Sequence, residues 1–205
     1  MTGITISETV GEQDRFLYIP EGFDRPPETV VEALTMGLAV LREDGRWVQR
    51  ELYVNPRPEE DPSTPYCNGW GACAIGGLQV VTVGLRPSYE HCVYGEVEAG
   101  THRCNNPECE DCRVSPVWCE AHGGPRQEIF TQAVALLDDE TMERSEGMHS
   151  SVVEYNDHDG CTFDEVEGVF VDAIRAAEAV DEDAIEDDNR LDATVSGLLD
   201  LDAGD

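Results

Sequence analysis

The sequence predicts a mainly α single domain, a compact bundle of three or four helices, with an α+β arrangement as the alternative. Three stretches carry apolar residues at helical spacing, each bounded by residues that start or stop helices. A short strand is expected at Phe16 to Ile19. A chain of 205 residues with 40% hydrophobic content supplies one core of ordinary size, so residues 1–180 are expected to form one domain.

The first helix is expected from about 27 to 43. Val30, Val31, Leu34, Leu38 and Leu41 fall on one face, Pro26-Pro27 stands at its start and Gly45 lies just past its end. Trp47 is expected to pack after it. The segment NPRPEEDPSTP, Asn55 to Pro65, has four Pro and three acids and is expected to be an exposed loop. Residues 72–85 are ambiguous. Ala72 to Ile75 can open a buried helix, whereas Leu78 to Val83 has the β-branched density of a strand, with Gly76-Gly77 as a divider between the two. The lean is to helix. Pro125 opens a second helix, with Ile129, Phe130, Ala133, Val134 and Leu137 on its buried face. The third begins at a capping box, Thr162-Phe163-Asp164-Glu165, and carries Val166, Val169, Phe170, Ala173, Ile174 and Ala177 as its stripe. Residues 181–205 hold ten acids and one Arg and are expected to be a disordered acidic tail, with Leu198, Leu199 and Leu201 as a small apolar group inside it.

Charge narrows the function classes. The chain has 44 acidic residues against 13 basic ones, every basic residue is Arg, and the net charge is -31. Such a surface repels phosphate backbones, so no direct binding to nucleic acid or to an anionic membrane is expected. Adaptation to high salt, or coding bias that replaces Lys by Arg, accounts for the balance most simply. Imitation of nucleic acid is the sharper reading, since duplex DNA is itself a dense line of negative charge. The start, MTGITISETVGEQD, has neither a basic end nor an apolar run, so no secretory signal is expected and the location is read as cytoplasmic. The uncharged stretch Pro62 to Leu85 is too rich in Gly and polar residues to cross a lipid bilayer.

The chemistry concentrates in CNNPECEDCRVSPVWCEAH, inside a cysteine-rich insertion at 102–123. Cys109-x2-Cys112 and Cys119-x2-His122 are two close ligand pairs separated by six residues, enough chain to turn back and complete a tetrahedron, and Cys104 can replace one ligand. The expectation is a closed structural zinc site drawn from Cys104, Cys109, Cys112, Cys119 and His122. An iron-sulfur reading rests on Cys104-x4-Cys109-x2-Cys112, the first three spacings of a plant-type cluster loop, but Pro107 removes a backbone donor there and no Gly allows close approach. A zinc deaminase needs Pro directly before the first Cys and an upstream His-x-Glu, and neither is present. No catalytic residue is assigned. Cys73 is read as a small buried apolar residue. In EYNDHDG, Glu154, Asn156, Asp157, His158 and Asp159 offer ligands for a divalent metal or for acid-base work, yet Asn, Asp and Gly are turn formers, and a structural turn into the capping box is the expected role.

The order of Gly45-Arg46-Trp47, Tyr66-Cys67, Ala72-Cys73-Ala74-Ile75-Gly76 and Tyr155-Asn156-Asp157, followed by Thr162, Glu165 and Val166, resembles a family of small uncharacterised proteins from actinobacteria and their phages. The resemblance covers roughly residues 27–178 without the cysteine-rich insertion. It implies a compact, mainly helical fold and no activity, and it brings a phage origin into view. The insertion, the tail and the stronger charge are departures from it. The function expected from these readings is that of a non-enzymatic, zinc-binding interaction or regulatory protein that contacts a protein partner through its acidic surface. Its sharp form is a DNA-mimic antagonist of a nucleic-acid-binding protein, and the alternative is an iron-sulfur electron carrier or metalloenzyme built on the cysteines.

Overall fold

A computed structural model describes residues 3–10, 13–43, 45–54, 70–84 and 126–180. Five helices and four strands lie within them, with element order β1 (Ile4–Val10), β2 (Gln13–Ile19), α1 (Val30–Arg42), β3 (Tyr53–Val54), β4 (Gly71–Ala72), α2 (Ala74–Thr82), α3 (Gln127–Arg144), α4 (Val152–Asp157) and α5 (163–180). The architecture is a helical domain with small antiparallel sheets. The expected loop at Asn55 to Pro65, the insertion at 102–123 and the tail at 181–205 lie outside the described residues.

The strand expected at Phe16 to Ile19 is one arm of a hairpin. It pairs antiparallel with a strand that sequence reading missed, in a register running from Ile4↔Ile19 to Val10↔Gln13. Polar residues outnumber apolar ones in ITISETV, which hides the alternation that marks a strand. Leu17, Tyr18 and Ile19 enter the core.

Helix α1 starts three residues later than Pro27 because Thr29 caps it. The Thr29 hydroxyl accepts from the Glu32 N–H at 3.1 Å, and the Glu32 carboxylate accepts from the Glu28 N–H at 2.8 Å. Arg25 donates to the same carboxylate at 2.7 Å, and these donors hold its pKa below the usual value. Glu43 and Gly45, with φ of 73°, end the helix.

Helix α2 is the centre of the molecule, and all nine of its residues are buried. The ambiguous stretch is therefore helical from Ala74 through Thr82, while Gly71–Ala72 before it forms a short strand with Tyr53–Val54. Gly76-Gly77 does not divide anything. A Cβ on Gly76 would stand 1.8 Å from the Leu52 carbonyl oxygen, so glycine lets the helix lie against the strand segment. α1 packs on α2 through a second close approach, at Gly37 and Leu78. At the far end of α2, Arg126 Nε donates to the Thr82 carbonyl at 2.7 Å and Arg15 Nη1 to the Val83 carbonyl at 3.2 Å. Two guanidinium groups thus meet the negative end of the helix dipole.

Helix α3 buries Phe130, Ala133, Val134 and Leu137 as expected, and Ile129 only partly. Gly147, with φ of 78°, closes it, its N–H donating to the Met142 carbonyl at 2.8 Å. Helix α5 buries Val166, Val169, Phe170, Ala173 and Ala177. Its capping box is half of the expected one. The Glu165 carboxylate accepts from the Thr162 N–H at 2.8 Å and also from the Thr162 hydroxyl at 2.9 Å, so this hydroxyl donates to the carboxylate.

Candidate functional site

EYNDHDG is the one of the two chemistry-bearing segments that falls within the described residues, and only its second half, His158 to Gly160, is the expected turn. Val152 to Asp157 form helix α4, which corrects the expectation of a connecting turn; only residues 158–161 make the bend into α5. The cause is a pair of caps that the composition hides. The Ser151 hydroxyl accepts from the Glu154 N–H at 3.3 Å, and the Asp138 carboxylate on α3 accepts from the Val152 N–H at 2.7 Å. Both satisfy donors at the start of the helix.

Asn156 sits fully buried at the centre of this segment. Its Oδ1 accepts from the Trp47 indole N–H at 2.9 Å and from the Ala74 N–H, at the start of α2, at 3.4 Å. Its Nδ2 donates to the Val48 carbonyl at 3.3 Å and to Asp157 Oδ1 at 2.6 Å. An indole N–H can only donate and a carbonyl can only accept, so the amide has one workable orientation and all its bonding capacity is used. The neighbouring residues extend the junction. Gln49 Nε2 donates to the Asn156 carbonyl at 2.7 Å, and the Arg50 N–H donates to Asp157 Oδ1 at 2.7 Å. The Arg50 guanidinium pairs with Asp159, and Arg50 itself has a φ of 65°. Residues 47–50 are thereby zipped onto residues 156–159.

His158 closes the helix end. Its Nδ1 lies 2.5 Å from the Tyr155 carbonyl oxygen, an acceptor, so Nδ1 carries the proton. The ring stacks on His149 at a centroid distance of 4.9 Å, and Tyr155 meets both rings at 5.6 and 5.3 Å. Three rings therefore tie together the two ends of α4.

The thiols nearby are unreactive by environment. Burial pushes Cys73, the N-cap of α2, up to about 11, and burial with Glu165 and Asp157 does the same to Cys161. A thiol with so little thiolate at neutral pH is a poor nucleophile and a poor ligand. Cys73 is buried as expected from its apolar surroundings.

A second polar knot joins β2, the end of α1 and β4. The Tyr18 hydroxyl donates to Glu43 at 2.8 Å, Arg46 pairs with Glu43 at 3.1 Å, and the Arg46 guanidinium lies 4.3 Å from the Trp70 ring centroid. Burial, with Glu43 beside it, pushes the Tyr18 phenol up to about 12. This too is a junction, with its polar atoms turned on one another.

Cys104, Cys109, Cys112, Cys119 and His122 all lie outside the described residues. Among the described residues, no three His, Cys, Asp or Glu side chains converge to hold a metal ion, so Asp157, His158 and Asp159 do not form the divalent site that their sequence allows. Trp47 and Arg50, partners of the Asn156 segment, were not linked to it by sequence reading; an isolated Trp and Arg carry no spacing signal across so many residues. No helix among the described residues is long and apolar enough to cross a membrane.

No curated protein and no solved structure matches the chain. Residues 25–176 match the model of a family of unknown function (DUF6197), a span that contains α1 to α4, the Asn156 junction and most of α5, and the chain belongs to that family.

Proposed function

We propose that this is a non-enzymatic interaction protein that presents an acidic surface to a basic protein partner and is stapled by one zinc in its cysteine-rich insertion. The observation that supports it is the fate of the arginines. Every Arg among the described residues has an internal partner: Arg25 pairs with Glu32, Arg42 with Glu167, Arg46 with Glu43, Arg50 with Asp159, Arg126 with Glu8, Arg144 and Arg175 with Asp172, and Arg15 bonds the Val83 carbonyl. Each of these positive charges stands beside a carboxylate or carbonyl of the same chain, several of them at the surface, so the excess of carboxylates is what a partner meets. The polar residues of the Asn156 junction likewise bond one another, which favours a structural role for them over a reacting one.

A DNA-mimic antagonist is the sharp form of this reading. Its partner would be a protein that binds nucleic acid through Lys and Arg, and affinity would fall steeply with added salt because both surfaces release counterions on contact. A panel of DNA- and RNA-binding proteins titrated with the chain at low and high salt tests it; absence of binding to every one at low salt ends the mimic form. Metal content per untagged chain, taken with the visible absorption spectrum, tests the staple. One zinc without colour is expected, and Cys109→Ser is expected to release it. Iron with visible absorption would replace this reading with electron transfer.

A further inference from the structure

We propose that the cavity between the start of α1, the first half of α3 and the end of α5 receives a short amphipathic helix of a protein partner, one whose apolar face is flanked by Lys or Arg. The inference rests on the acidic-surface reading above and names the part of that surface that recognises the partner. The cavity has a volume of about 500 Å³, within the range of about 300–1,000 Å³ usual for ligand sites. Val30 of α1, Ile129 and Leu136 of α3, and Ala177 and Val180 of α5 supply its apolar lining. These side chains are not used up by the core. Ile129 and Leu136 are only partly buried, and Val180 is 65% exposed.

Charge sets this cavity apart from the rest of an acidic surface. Glu28 beside α1 and Asp139 on α3 line it and are exposed, and among the described residues no Arg lines it. The Glu28 side chain is 72% exposed, and the Arg25 that reaches it at 3.5 Å lies closer to Glu32, at 2.7 Å. The neighbouring hollow between α3 and α5 is the contrast. Its Glu140, Glu143 and Asp172 share the space with Arg144 and Arg175, both of which pair with Asp172. Apolar surface and carboxylates without a cation in the lining therefore coincide at the first cavity and not at the second.

The same charges choose the occupant. Residues 181–205, which follow Val180, hold ten acids and one Arg, and a second copy of the chain carries a net charge of -31, so Glu28 and Asp139 repel both. A helix with Lys or Arg beside its apolar face brings the opposite sign. The walls choose its shape. Apart from Glu28 and Thr29 the lining residues lie in helices, so no sheet edge borders the cavity for a strand to join, and recognition runs through side chains. The α3 wall from Ile129 to Asp139 is about 15 Å long, a length that apolar anchors at i, i+4 and i+7 of a partner helix span.

The test uses two fluorescent synthetic peptides of one Leu and Lys composition, one with Leu at i, i+3, i+4 and i+7 and one shuffled so that no apolar face forms. Each is titrated with the full chain in reducing buffer at salt of about 0.05 M, and anisotropy reads the binding. The amphipathic peptide is expected to bind at least about tenfold tighter than its isomer. Ala135→Arg, at an exposed position of the cavity wall, is expected to lower that affinity by about tenfold. Met148→Arg makes the same change of charge at an exposed site beyond α3 and is expected to shift it by less than about twofold. Should Ala135→Arg fail to fold, Gln132→Arg, exposed on the same wall, decides. Equal affinity for the two peptides, or equal losses in the two arginine variants, overturns the proposal and leaves the acidic-surface reading standing, whereas no binding of either peptide overturns both. Joint replacement of Leu198, Leu199 and Leu201 by Ser is expected to leave affinity unchanged; a rise of about tenfold would put the tail in the cavity. A mass that doubles with concentration in the native chain and not in Ala135→Arg would put a second copy there. Either result also overturns the proposal.

Discussion

Trp47 donates its indole N–H to the Oδ1 of Asn156 at 2.9 Å, across 109 positions of sequence. That bond ties the segment after α1 to the end of α4, and the same Oδ1 accepts from the first N–H of α2. One amide thus joins three parts of the fold. Phe163, at the start of α5, packs against the Trp47 ring at a centroid distance of 5.9 Å.

Replacement of Asn156 by Ala is expected to destabilise the chain by about 2–4 kcal/mol, because the Trp47 N–H and the Val48 carbonyl lose their partner while the site stays buried. Urea unfolding measures it. A loss below about 0.5 kcal/mol would show that the junction is not structural.

Glycine at 76 should be intolerant of any side chain. Gly76→Ala would drive a Cβ to 1.8 Å from the Leu52 carbonyl and is expected to cost about 3 kcal/mol or more. Gly147→Ala is the contrast. It meets no atom within 4 Å and only strains a φ of 78°, for a cost of about 1 kcal/mol. Thermal melts of the two variants should rank in that order.

Two carboxylates should respond to pH in opposite directions. The Thr162 N–H and hydroxyl hold Glu165 below its ordinary 4.5, so the folded chain binds fewer protons there than the unfolded one. Its contribution is present above 4.5 and is lost as pH falls through the depressed value. The gap in stability between the native chain and Glu165→Gln is expected at neutral pH and should close in acid.

Asp138 is raised by burial, which outweighs the bond from the Val152 N–H. There the folded chain binds more protons, and stability falls as pH rises through the folded value. Asp138→Asn keeps an acceptor for Val152 and removes the buried charge. It is expected to be more stable than the native chain at neutral pH, with the difference vanishing as pH falls; unfolding curves across that range decide.

Alkylation mapped by mass spectrometry should leave Cys73 and Cys161 unmodified in the folded chain at about pH 8 and label both after denaturation, since each thiol is buried and pushed up to about 11. Rapid labelling of either in the native state would contradict the burial.

The periodic helices were legible because a buried stripe recurs every few residues whatever it packs against, and Phe130, Val134 and Leu137 or Val166, Val169 and Phe170 carry that spacing within one window. Strand β1 was not, because ITISETV is a half-exposed edge whose polar residues dilute its alternation. Helix α4 was mistaken for a turn for a related reason. Asn, Asp and His favour turns locally, and the cap that overrides them comes from Asp138 on another helix.

By itself the sequence determined the helical class, the acidic character, the apolar stripes and the cysteine-rich segment, all of which depend on composition or on neighbours within a few positions. Only the tertiary structure decided that Gly76-Gly77 sits inside a buried helix, that Asn156 is a junction spent on Trp47, Val48 and Ala74, and that the arginines among the described residues find partners within the chain. The physical reason is range. Local spacing encodes which face is apolar, but the partner of a buried polar group is set by which distant segments the packed core brings within hydrogen-bonding distance.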